Sequence, residues 1–203
     1  MRSFKHLTPS YIFNRSRVLF DEMINPYNPW LTRDAIGVIE KFLKKDHVGL
    51  EIGSGRSTSW ICNRIKKLTS IEGNEYWYQK VSRDCEFHID QQRLKYFFLG
   101  TVNEYINFFS TIESNSLDFC LIDGEYRDIC ALNAVEKISN GGMLVIDNIN
   151  WYFPIANPRS PASRSIEEGY FNKNWESFAS LINNWNFILT SNGVTDTAIF
   201  IKQ

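Results

Sequence analysis

The stretch "GLEIGSGRSTS" at residues 49 to 59 combines a carboxylate with a glycine-rich turn. Gly53 and Gly55 follow an apolar run, and glycine lets the backbone turn sharply and a ligand approach it closely. Such turns usually hold phosphates at the start of a helix, but Thr58 stands where a dinucleotide site has its third glycine. Glu51, just before the first glycine, would also oppose a pyrophosphate. The turn therefore favours a ligand that carries positive charge and no phosphate.

A second carboxylate, Glu72, closes the next apolar run, "LTSIE". It follows the turn by about 20 residues, a spacing at which an acid can bind both hydroxyls of a ribose. An acid at the start of a helix is also favoured by the helix dipole alone, so this simpler role stays open. Together the two acids describe a ligand with a ribose, a positive charge and no phosphate. S-adenosylmethionine has those parts.

Three further oxygen-bearing side chains end the fourth and fifth apolar runs of this pattern: Asp123 after "LDFCLI", and Asp147 with Asn148 after "MLVI". If these runs are neighbouring parallel strands, the three side chains meet at one edge of the sheet. Oxygen donors are the ligands that Mg²⁺ and Ca²⁺ require. A metal at Asp123, Asp147 and Asn148 is therefore one hypothesis, and local hydrogen bonding by the same residues is the other.

Short apolar runs alternate with amphipathic stretches from about residue 47 onward. Near-continuous apolar strands separated by helices indicate a parallel sheet covered on both faces, an α/β doubly wound domain. At the end of the chain, "NFILTS" and "TAIFIKQ" flank an Asn-Gly turn and predict an antiparallel hairpin. The predicted strands cover residues 47–52, 68–72, 94–99, 117–123, 143–148, 186–191 and 197–203, and the predicted helices cover 56–67, 74–89, 102–112, 126–138 and 174–185.

Two segments fall outside this alternation. Residues 1–46 contain "NPYNPWLT", where prolines interrupt regular structure and Thr32 can cap a helix at residues 33–45. Residues 149–166 form a long loop rich in proline and aromatic residues, just past the fifth strand. Doubly wound sheets bind their ligands at that end of the strands, so we expect this loop to contribute to a site.

With these motifs in place, residues 47–203 resemble class I S-adenosylmethionine-dependent methyltransferases. The resemblance rests on five motifs in order: "LEIGSG", "SIEGN", "LGTVNEYI", "LIDG" and "GGMLVIDN". It implies a seven-stranded, mostly parallel sheet with a C-terminal antiparallel hairpin, since that family adds an antiparallel strand to the parallel sheet. Residues 47–203 would be the cofactor-binding domain, and residues 1–46 a helical or irregular segment packed on it.

The resemblance also implies cofactor contacts at the ends of the first four strands. The implied positions are Glu51, Gly53 and Gly55 around the methionine portion, Ser54 and Ser57 at its carboxylate, Glu72 at the ribose, Asn74, Gly100 and Thr101 near adenine and ribose, and Asp123 at the amine or the reaction centre.

The strand-end oxygens are similar to the metal ligands of the catechol and caffeoyl-CoA O-methyltransferases. In those enzymes an Asp ends one strand and Asp-Asn ends the next, which implies catalytic roles for Asp123 and Asp147. A metal there would bind a substrate hydroxyl and lower its pKa. The family's lysine base is absent, however, because "DGEYRD" has Tyr126 and Arg127 instead. We expect Arg127 to orient groups or stabilise charge, since arginine stays protonated and cannot act as a base.

The implied function is methyl transfer to an oxygen of a small molecule or sugar. "DGEYR", "NPWLT" and "TAIFIK" are similar to segments of bacterial methyltransferases found with glycan or secondary-metabolite pathways. Two alternatives stay open: a nicotinamide-dependent oxidoreductase on a similar sheet, and a non-catalytic cofactor-binding protein. The acceptor pocket would be lined by Tyr27, Trp30, Trp151, Tyr152, Phe153, Arg159 and Arg164, although these aromatic residues could equally form a packing surface or a homodimer surface.

Composition and charge restrict the remaining classes of partner and location that this protein could have. The 203 residues carry a formal net charge of -1, so no basic excess points to nucleic acid. No run approaches the roughly 20 apolar residues of a membrane span, and residues 1–17 lack the apolar region of a secretory signal. The cysteines show no metal-binding or C-x-x-C spacing, so we expect buried free thiols, as at Cys120, and a cytoplasmic protein.

Overall fold

The computed structural model describes residues 8–203, so the first seven residues of the predicted N-terminal segment lie outside the described part. Seven strands form one sheet in the order β3-β2-β1-β4-β5-β7-β6. They are β1 (Val48–Ile52), β2 (Lys67–Glu72), β3 (Leu94–Phe98), β4 (Leu117–Ile122), β5 (Ile138–Ile146), β6 (Asn186–Ser191) and β7 (Asp196–Ile201).

The first five strands are parallel, and β7 lies antiparallel between β5 and β6. The predicted doubly wound sheet with its terminal hairpin is therefore confirmed. The order along the sheet reverses direction at β1, which places the carboxyl ends of β1 and β4 side by side at a topological switch point. In open α/β sheets, ligands bind in the crevice at such a point.

Helices cover both faces of the sheet. They are α1 (Pro9–Ile24), α2 (Arg33–Phe42), α3 (Arg56–Cys62), α4 (Glu75–Asp84), α5 (Glu86–Asp90), α6 (Val102–Ser110), α7 (Arg127–Lys137) and α8 (Lys173–Leu181), and a short 3₁₀ turn spans Ile149–Trp151. Within residues 8–203, none of these helices is long and apolar enough to cross a membrane.

Strand side chains alternate between two hydrophobic clusters because successive residues of a strand point to opposite faces. Leu50 and Ile52 of β1 pack in the cluster beneath α6, α7 and α8. Phe119 and Leu121 of β4 pack on the other face, with α2, α3 and the α4–α5 region. Burying a side chain of this kind contributes roughly 1.5–3 kcal/mol. All four cysteines are free and buried, and Cys120 is fully buried as predicted.

Several predicted boundaries differ from the structure. The single helix predicted at 74–89 is two helices, because Cys85 leaves helical geometry (φ −111°, ψ 11°) while its N–H still bonds the carbonyl of Val81. Residues 139–142, which lie between the helix predicted at 126–138 and the strand predicted at 143–148, are part of β5. There Gly141 has a positive φ of 77°, and its N–H donates to the carbonyl of Lys202 just past β7. Pairing with a distant segment thus extends a strand that local sequence ends early.

The predicted helix at 56–67 also ends early, at Cys62. Beyond it the N–H of Lys66 donates to the carbonyl of His47, which starts the path into β2. The helix α1 was not predicted as a separate element. Its start has a local cause, because Thr8 caps it by accepting a hydrogen bond from the N–H of Tyr11 (3.2 Å) and Pro9 occupies its first turn.

The loops after β1 and β4 touch each other backbone to backbone. Gly53 has a φ of 88°, and its N–H donates to the carbonyl of Ile71 at 2.8 Å. A Cβ placed on Gly53 would lie 2.5 Å from the nitrogen of Gly124, and one placed on Gly124 would lie 2.7 Å from the nitrogen of Gly53. Each of the two positions therefore requires glycine because of its contact with the other. Gly53 is needed for the junction of β1 and β4 whether or not a ligand binds at the turn.

We expect Gly53→Ala to lower the free energy of unfolding by about 2–4 kcal/mol, because it combines a strained positive φ with overpacking. Urea unfolding followed by circular dichroism would measure the loss. Gly55→Ala is the matched control: its φ of 169° is extended, and its nearest obstacle is Trp77 at 3.9 Å. Equal stability losses for the two variants would contradict the assigned contact.

Candidate functional site

The carboxylate of Glu51 lies beneath the glycine turn, completely buried. Its Oε2 accepts hydrogen bonds from the hydroxyls of Ser70 (2.6 Å) and Thr58 (2.7 Å). Thr58 Oγ1 accepts in turn from the N–H of Gly55 at 2.9 Å. Glu51 therefore holds the turn from below through Thr58, at the point where β1 leads into α3.

The other oxygen of Glu51, Oε1, is buried without a hydrogen-bond partner in the described structure. Burial is the main cause that raises the pKa of Glu51 from 4.5 to about 7, and the nearby Asp123 raises it further. Hydroxyls of Ser57, Ser70 and Thr58 act in the opposite direction. The Ser57 hydroxyl is thus close to the carboxylate, although its geometry falls short of a hydrogen bond to Oε1. A buried, half-satisfied carboxylate is suited to a cationic donor.

Glu72 bridges the end of β2 to the same turn. Its Oε2 accepts from the N–H (2.9 Å) and the hydroxyl (2.7 Å) of Ser54, and its Oε1 accepts from the N–H of Asn74 at 2.9 Å. Ser54 also shares a short contact with the hydroxyl of Tyr96 on β3, at 2.6 Å. The predicted residues Ser54, Glu72 and Asn74 are therefore neighbours, although Ser54 was expected at the cofactor's carboxylate and Glu72 at its ribose.

Other predicted cofactor residues have structural roles. Asn74 caps α4, since its side-chain oxygen accepts from the N–H of Trp77. Thr101 caps α6 in a reciprocal pair with Glu104, whose carboxylate also accepts the N–H of Gly100. Trp77 is half-buried, stacks on Trp30 with ring centroids 6.2 Å apart, and donates its indole N–H to the carbonyl of Ser54. Trp77 thus braces the turn from outside.

Arg127 joins the ends of β4 and β5. Its Nε donates to the carbonyl of Gly124 (2.9 Å), and one terminal nitrogen donates to the carbonyl and carboxylate of Asp123 (3.0 and 2.8 Å). The other terminal nitrogen donates to the carbonyl of Asp147 (2.6 Å) and the amide oxygen of Asn148 (2.9 Å). The fork geometry of a guanidinium suits this role. Arg127 therefore holds the side chains of Asp123 and Asn148 in place.

Asp147 is buried at the end of β5. Its two oxygens accept from the hydroxyl of Thr197 (2.6 Å) and from the amide of Asn148 (2.9 Å). Thr197 Oγ1 also accepts from the N–H of Thr32, and the hydroxyls of Thr32 and Thr190 are in contact. These threonines connect the strand end to the segment before α2.

Burial raises the pKa of Asp147, and the neighbouring Asp123 raises it further. Burial is also the largest cause that raises the pKa of Asp123, although Arg127 opposes it. Both carboxyl groups consequently have an elevated proton affinity at one edge of the sheet, and of the two it is Asp123 that keeps 30% of its side chain exposed.

The predicted metal ligands are already occupied. Asp123 and Asn148 bind the Arg127 guanidinium through their oxygens, while both oxygens of Asp147 have protein donors. Within residues 8–203, no group of three or more His, Cys, Asp or Glu side chains is placed to hold a metal ion. A guanidinium supplies the positive charge where the sequence suggested Mg²⁺ or Ca²⁺. The residues do not fit that metal.

A cavity of about 1750 Å³ opens beside these residues. Asp123, Asp147 and Asn148 lie at its floor, and α1 forms one wall. Arg56, which directly follows the glycine turn, also lines it. The cavity is therefore on the β4–β5 side of the sheet edge, next to the turn rather than over it.

The predicted acceptor residues divide into two groups. Trp30, Trp151 and Arg159 line the cavity. The others do not: Tyr152 and Phe153 pack on Trp175 in the core, Arg164 bonds the carbonyls of Glu168 and Gly169, and Tyr27 is 87% exposed. Part of the loop at 149–166 is thus structural, because its aromatic rings cover α8.

Sequence reasoning missed three contributors to the site. They are α1 as a cavity wall, Arg56 beside the turn, and the turn at residues 191–195 between β6 and β7. Arg56 stood inside the recognised motif and could have been found there. The other two, α1 and the Asn-Gly turn, gave no sequence signal for a site, and only their packing brings them to the strand ends.

No protein-family model matches the sequence, and no curated protein matches it either. Solved structures match its fold. A candidate methyltransferase from Streptococcus mutans in complex with S-adenosylhomocysteine superposes with a TM-score of 0.57 at 12% identity, covering 82% of this chain and 94% of that one. An rRNA methylase from Streptococcus thermophilus superposes with a TM-score of 0.56 at 10% identity, covering 82% of this chain and 92% of that one.

A S-adenosylmethionine-dependent methyltransferase from Aquifex aeolicus covers 93% of this chain and 98% of its own, with a TM-score of 0.54 and 13% identity. At such identities the likeness establishes the fold. The chain therefore has the class I methyltransferase fold over nearly its whole length.

The raised pKa of Glu51 predicts that stability falls as pH rises from about 4.5 to 7. In this window the folded protein holds a proton that the unfolded chain releases, so the folded state is favoured at the acidic end. The shift corresponds to roughly 3 kcal/mol at about 1.4 kcal/mol per pKa unit. Urea unfolding between pH 5 and 8 would measure it.

Glu51→Gln should remove this part of the pH dependence of the free energy of unfolding. Glu75→Gln, which changes an exposed acid at the start of α4, should leave that pH dependence unchanged. If the Glu51 variant keeps the pH dependence of the wild-type free energy of unfolding, the effect would be assigned to Asp123 and Asp147 instead.

Proposed function

We propose that this chain transfers a methyl group from S-adenosylmethionine to a hydroxyl oxygen of a small molecule or sugar. The observation that carries the proposal is the buried carboxylate of Glu51, which has one oxygen without a partner beneath the glycine turn. A cationic ligand at the turn would relieve that unsatisfied charge. A pyrophosphate would aggravate it, which argues against a nicotinamide dinucleotide.

The residues around the turn fit the rest of such a cofactor. Glu72 accepts three hydrogen bonds and has room, as a carboxylate with about four acceptor positions, for a ribose hydroxyl. Ser57 is at the first turn of α3, where a hydroxyl and the helix N-terminus suit a carboxylate. Bound here, S-adenosylmethionine would supply an activated methyl group on its sulfonium.

Asp123 is our candidate for the base that takes the acceptor's proton. It lines the cavity, keeps part of its side chain exposed, and is oriented by Arg127 at 2.8 Å. Its raised pKa brings its proton affinity closer to neutral pH, where a general base is most effective. Arg127 acts through Asp123 and Asn148 as a positioning residue. Asp147 supports it from a buried position.

A small acceptor is favoured by the balance of charges that line the cavity. Five arginines and five carboxylates line it, and the whole chain has a net charge of -1. RNA binding depends on positive charge that neutralises phosphates, and the arginines and carboxylates lining this cavity carry no net positive charge. Two solved structures of similar fold are described as rRNA methylases or candidates for that activity. RNA therefore belongs among the acceptors to be tested.

Glu51→Gln should weaken binding of S-adenosylhomocysteine about tenfold or more at pH 8, because the buried negative charge is lost. Wild-type affinity should rise with pH through about 7, as Glu51 ionises, and the variant's affinity should be flat. Isothermal titration would give both curves. Glu75→Gln serves again as the control, and tight binding of NAD without S-adenosylhomocysteine binding would exclude the proposal.

Asp123→Asn should lower the rate of methyl transfer by about 10²–10⁴-fold, the usual share of a general base. Its affinity for S-adenosylhomocysteine should stay within about threefold of wild type. In the wild type the rate of methyl transfer should increase with pH as Asp123 loses its proton. The pH–rate profile of the variant should lack this increase.

Transfer from labelled cofactor would be measured to a panel of phenols, sugars and RNA. Asp84→Asn, an exposed acid on α4, is the control. An equal loss of affinity and rate in the Asp123 variant would instead place Asp123 against the cofactor, and methylation confined to RNA would refute the small acceptor.

A further inference from the structure

Arg56 is a half-buried cation at the point where the glycine turn meets the cavity. It is the first residue of α3, directly after Gly55, and it lines the cavity together with Asp123. Among residues 8–203, no carboxylate lies within ion-pair distance of its guanidinium. Removing a charge from water is unfavourable unless an opposite charge or hydrogen bonds compensate it. An anion bound beside Arg56 would therefore be stabilised.

The guanidinium of Arg56 is held by its face. Its Cζ lies 4.9 Å from the ring centre of Trp30, which stacks in turn on Trp77. In the described part of the chain the group makes one long hydrogen bond, from Nη1 to the carbonyl of Glu22 at 3.4 Å. A guanidinium has five N–H donors along its edge, in a fork that matches a carboxylate or a phosphate. Stacking occupies the face of Arg56 and leaves most of these edge donors for a ligand.

The carboxylates of the cavity do not supply the missing partner. Five of them line it, but three are already paired with other arginines. The pairs are Glu22 with Arg15 (3.7 Å), Asp21 with Arg33 (3.8 Å) and Asp123 with Arg127 (2.8 Å). The total charge of the lining is therefore balanced without any contribution to Arg56.

The remaining two carboxylates are also engaged elsewhere or distant in function. Both oxygens of Asp147 accept hydrogen bonds from protein donors, and burial raises the pKa of this residue. Asp34 is exposed at the start of α2, where it also lines a smaller cavity of about 250 Å³ together with Arg159. The positive charge of Arg56 thus stays without a counter-charge on its side of the cavity.

We infer that the methyl acceptor carries an anionic group, a carboxylate or a phosphate, which Arg56 binds through its edge donors. This inference rests on the proposed function, because it names the class of molecule that receives the methyl group. The acceptor is then a small hydroxy acid or a phosphorylated hydroxyl compound, and neutral phenols and sugars are poor substitutes.

The position of Arg56 suits an acceptor whose hydroxyl reaches Asp123. Arg56 follows the turn at which the cofactor is proposed to bind, and Asp123 directly follows β4, the strand beside β1. Contacts at both residues would hold one acceptor at two points and fix its orientation toward the methyl group. The guanidinium of Arg127, 2.8 Å from Asp123, reduces the repulsion between that carboxylate and an incoming anion.

A structural role is the alternative for Arg56, because its contacts with Trp30 and Glu22 connect the turn to α1 and the segment that follows it. The two roles predict different results. Loss of a structural contact would weaken the binding of anionic and neutral ligands alike. Loss of an anion-binding group would weaken the binding of anionic ligands alone.

The test uses the full chain saturated with S-adenosylhomocysteine and two pairs of matched probes. The pairs are 4-hydroxybenzoate with 4-hydroxybenzamide, and glucose 6-phosphate with glucose. In isothermal titration, the anion of at least one pair should bind the wild type about tenfold or more tightly than its neutral counterpart, because hydrogen bonds to a charged group are the stronger ones. The pair that shows this preference distinguishes a carboxylate acceptor from a phosphate acceptor.

Arg56→Gln should reduce the preference for the anion to about twofold or less, and Arg56→Lys should keep part of it, because lysine retains the charge but lacks the fork. Arg64→Gln is the matched control. Arg64 also stacks on a tryptophan, with its Cζ 3.8 Å from the ring centre of Trp60, but it pairs with Glu40 and does not line the cavity. This variant should keep the full preference. The ratio of the two affinities within one variant is insensitive to a partial loss of folded protein.

Three results would overturn the inference: equal binding of anion and neutral counterpart by the wild type in both pairs, an unchanged preference in Arg56→Gln, or the same loss of preference in Arg64→Gln. If the wild type binds S-adenosylhomocysteine but prefers neither anion, this inference fails and the proposed methyl transfer stands. If it does not bind S-adenosylhomocysteine, the proposed function fails together with the inference.

Discussion

The guanidinium of Arg127 connects the ends of two neighbouring strands, and the arrangement of the candidate site depends on it. Parallel strands end with carbonyl groups that have no partner within the sheet, and here several of them meet at one edge. The guanidinium of Arg127 supplies the hydrogen-bond donors that these carbonyl groups lack within the sheet. It donates hydrogen bonds to the carbonyls of Asp123, Gly124 and Asp147 and to two side chains. With the direct contact between Gly53 and Gly124, it fixes β1, β4 and β5 relative to one another.

A rigid edge of this kind lets the protein keep carboxylates away from water. Glu51 and Asp147 are buried, Asp123 is partly buried, and burial raises the pKa of each. A buried carboxylate lowers stability when ionised unless something compensates it. Asp123 has Arg127 as its cation, whereas Glu51 has only hydroxyl partners on one oxygen. A positively charged ligand therefore has most to gain at Glu51, and a proton-accepting role suits Asp123.

The two halves of the sheet edge consequently differ. Toward β1, β2 and β3, hydrogen bonds of Glu72, Ser54 and Asn74 form a compact turn region. Toward β4, β5 and β7 the edge opens into a cavity that α1 covers. Both polar and apolar side chains of α1 line this cavity, Asn14 and Phe20 among them. The open side of the sheet edge is thus bounded by a helix that lies far from the strand ends in the sequence.

Local sequence determined the strands, most helices and the glycine turn. Apolar runs at 47–52 and 117–123 and the Asn-Gly hairpin carry their own signals, so the sheet could be predicted nearly strand by strand. The acids at the strand ends could also be found, because parallel strands bring their carboxyl ends to one edge.

What the sequence could not supply was the partner of each side chain. The side-chain oxygens of the predicted metal ligands Asp123, Asp147 and Asn148 accept hydrogen bonds from protein donors instead. Two of these donors, Arg127 and Thr197, lie on other elements, α7 and β7. The extension of β5 depended on pairing with the segment around β7, and the side chains that α1 contributes to the cavity depended on how that helix packs on the body. Hydrophobic periodicity gives a helix two faces, but only packing against distant residues decides which face is buried.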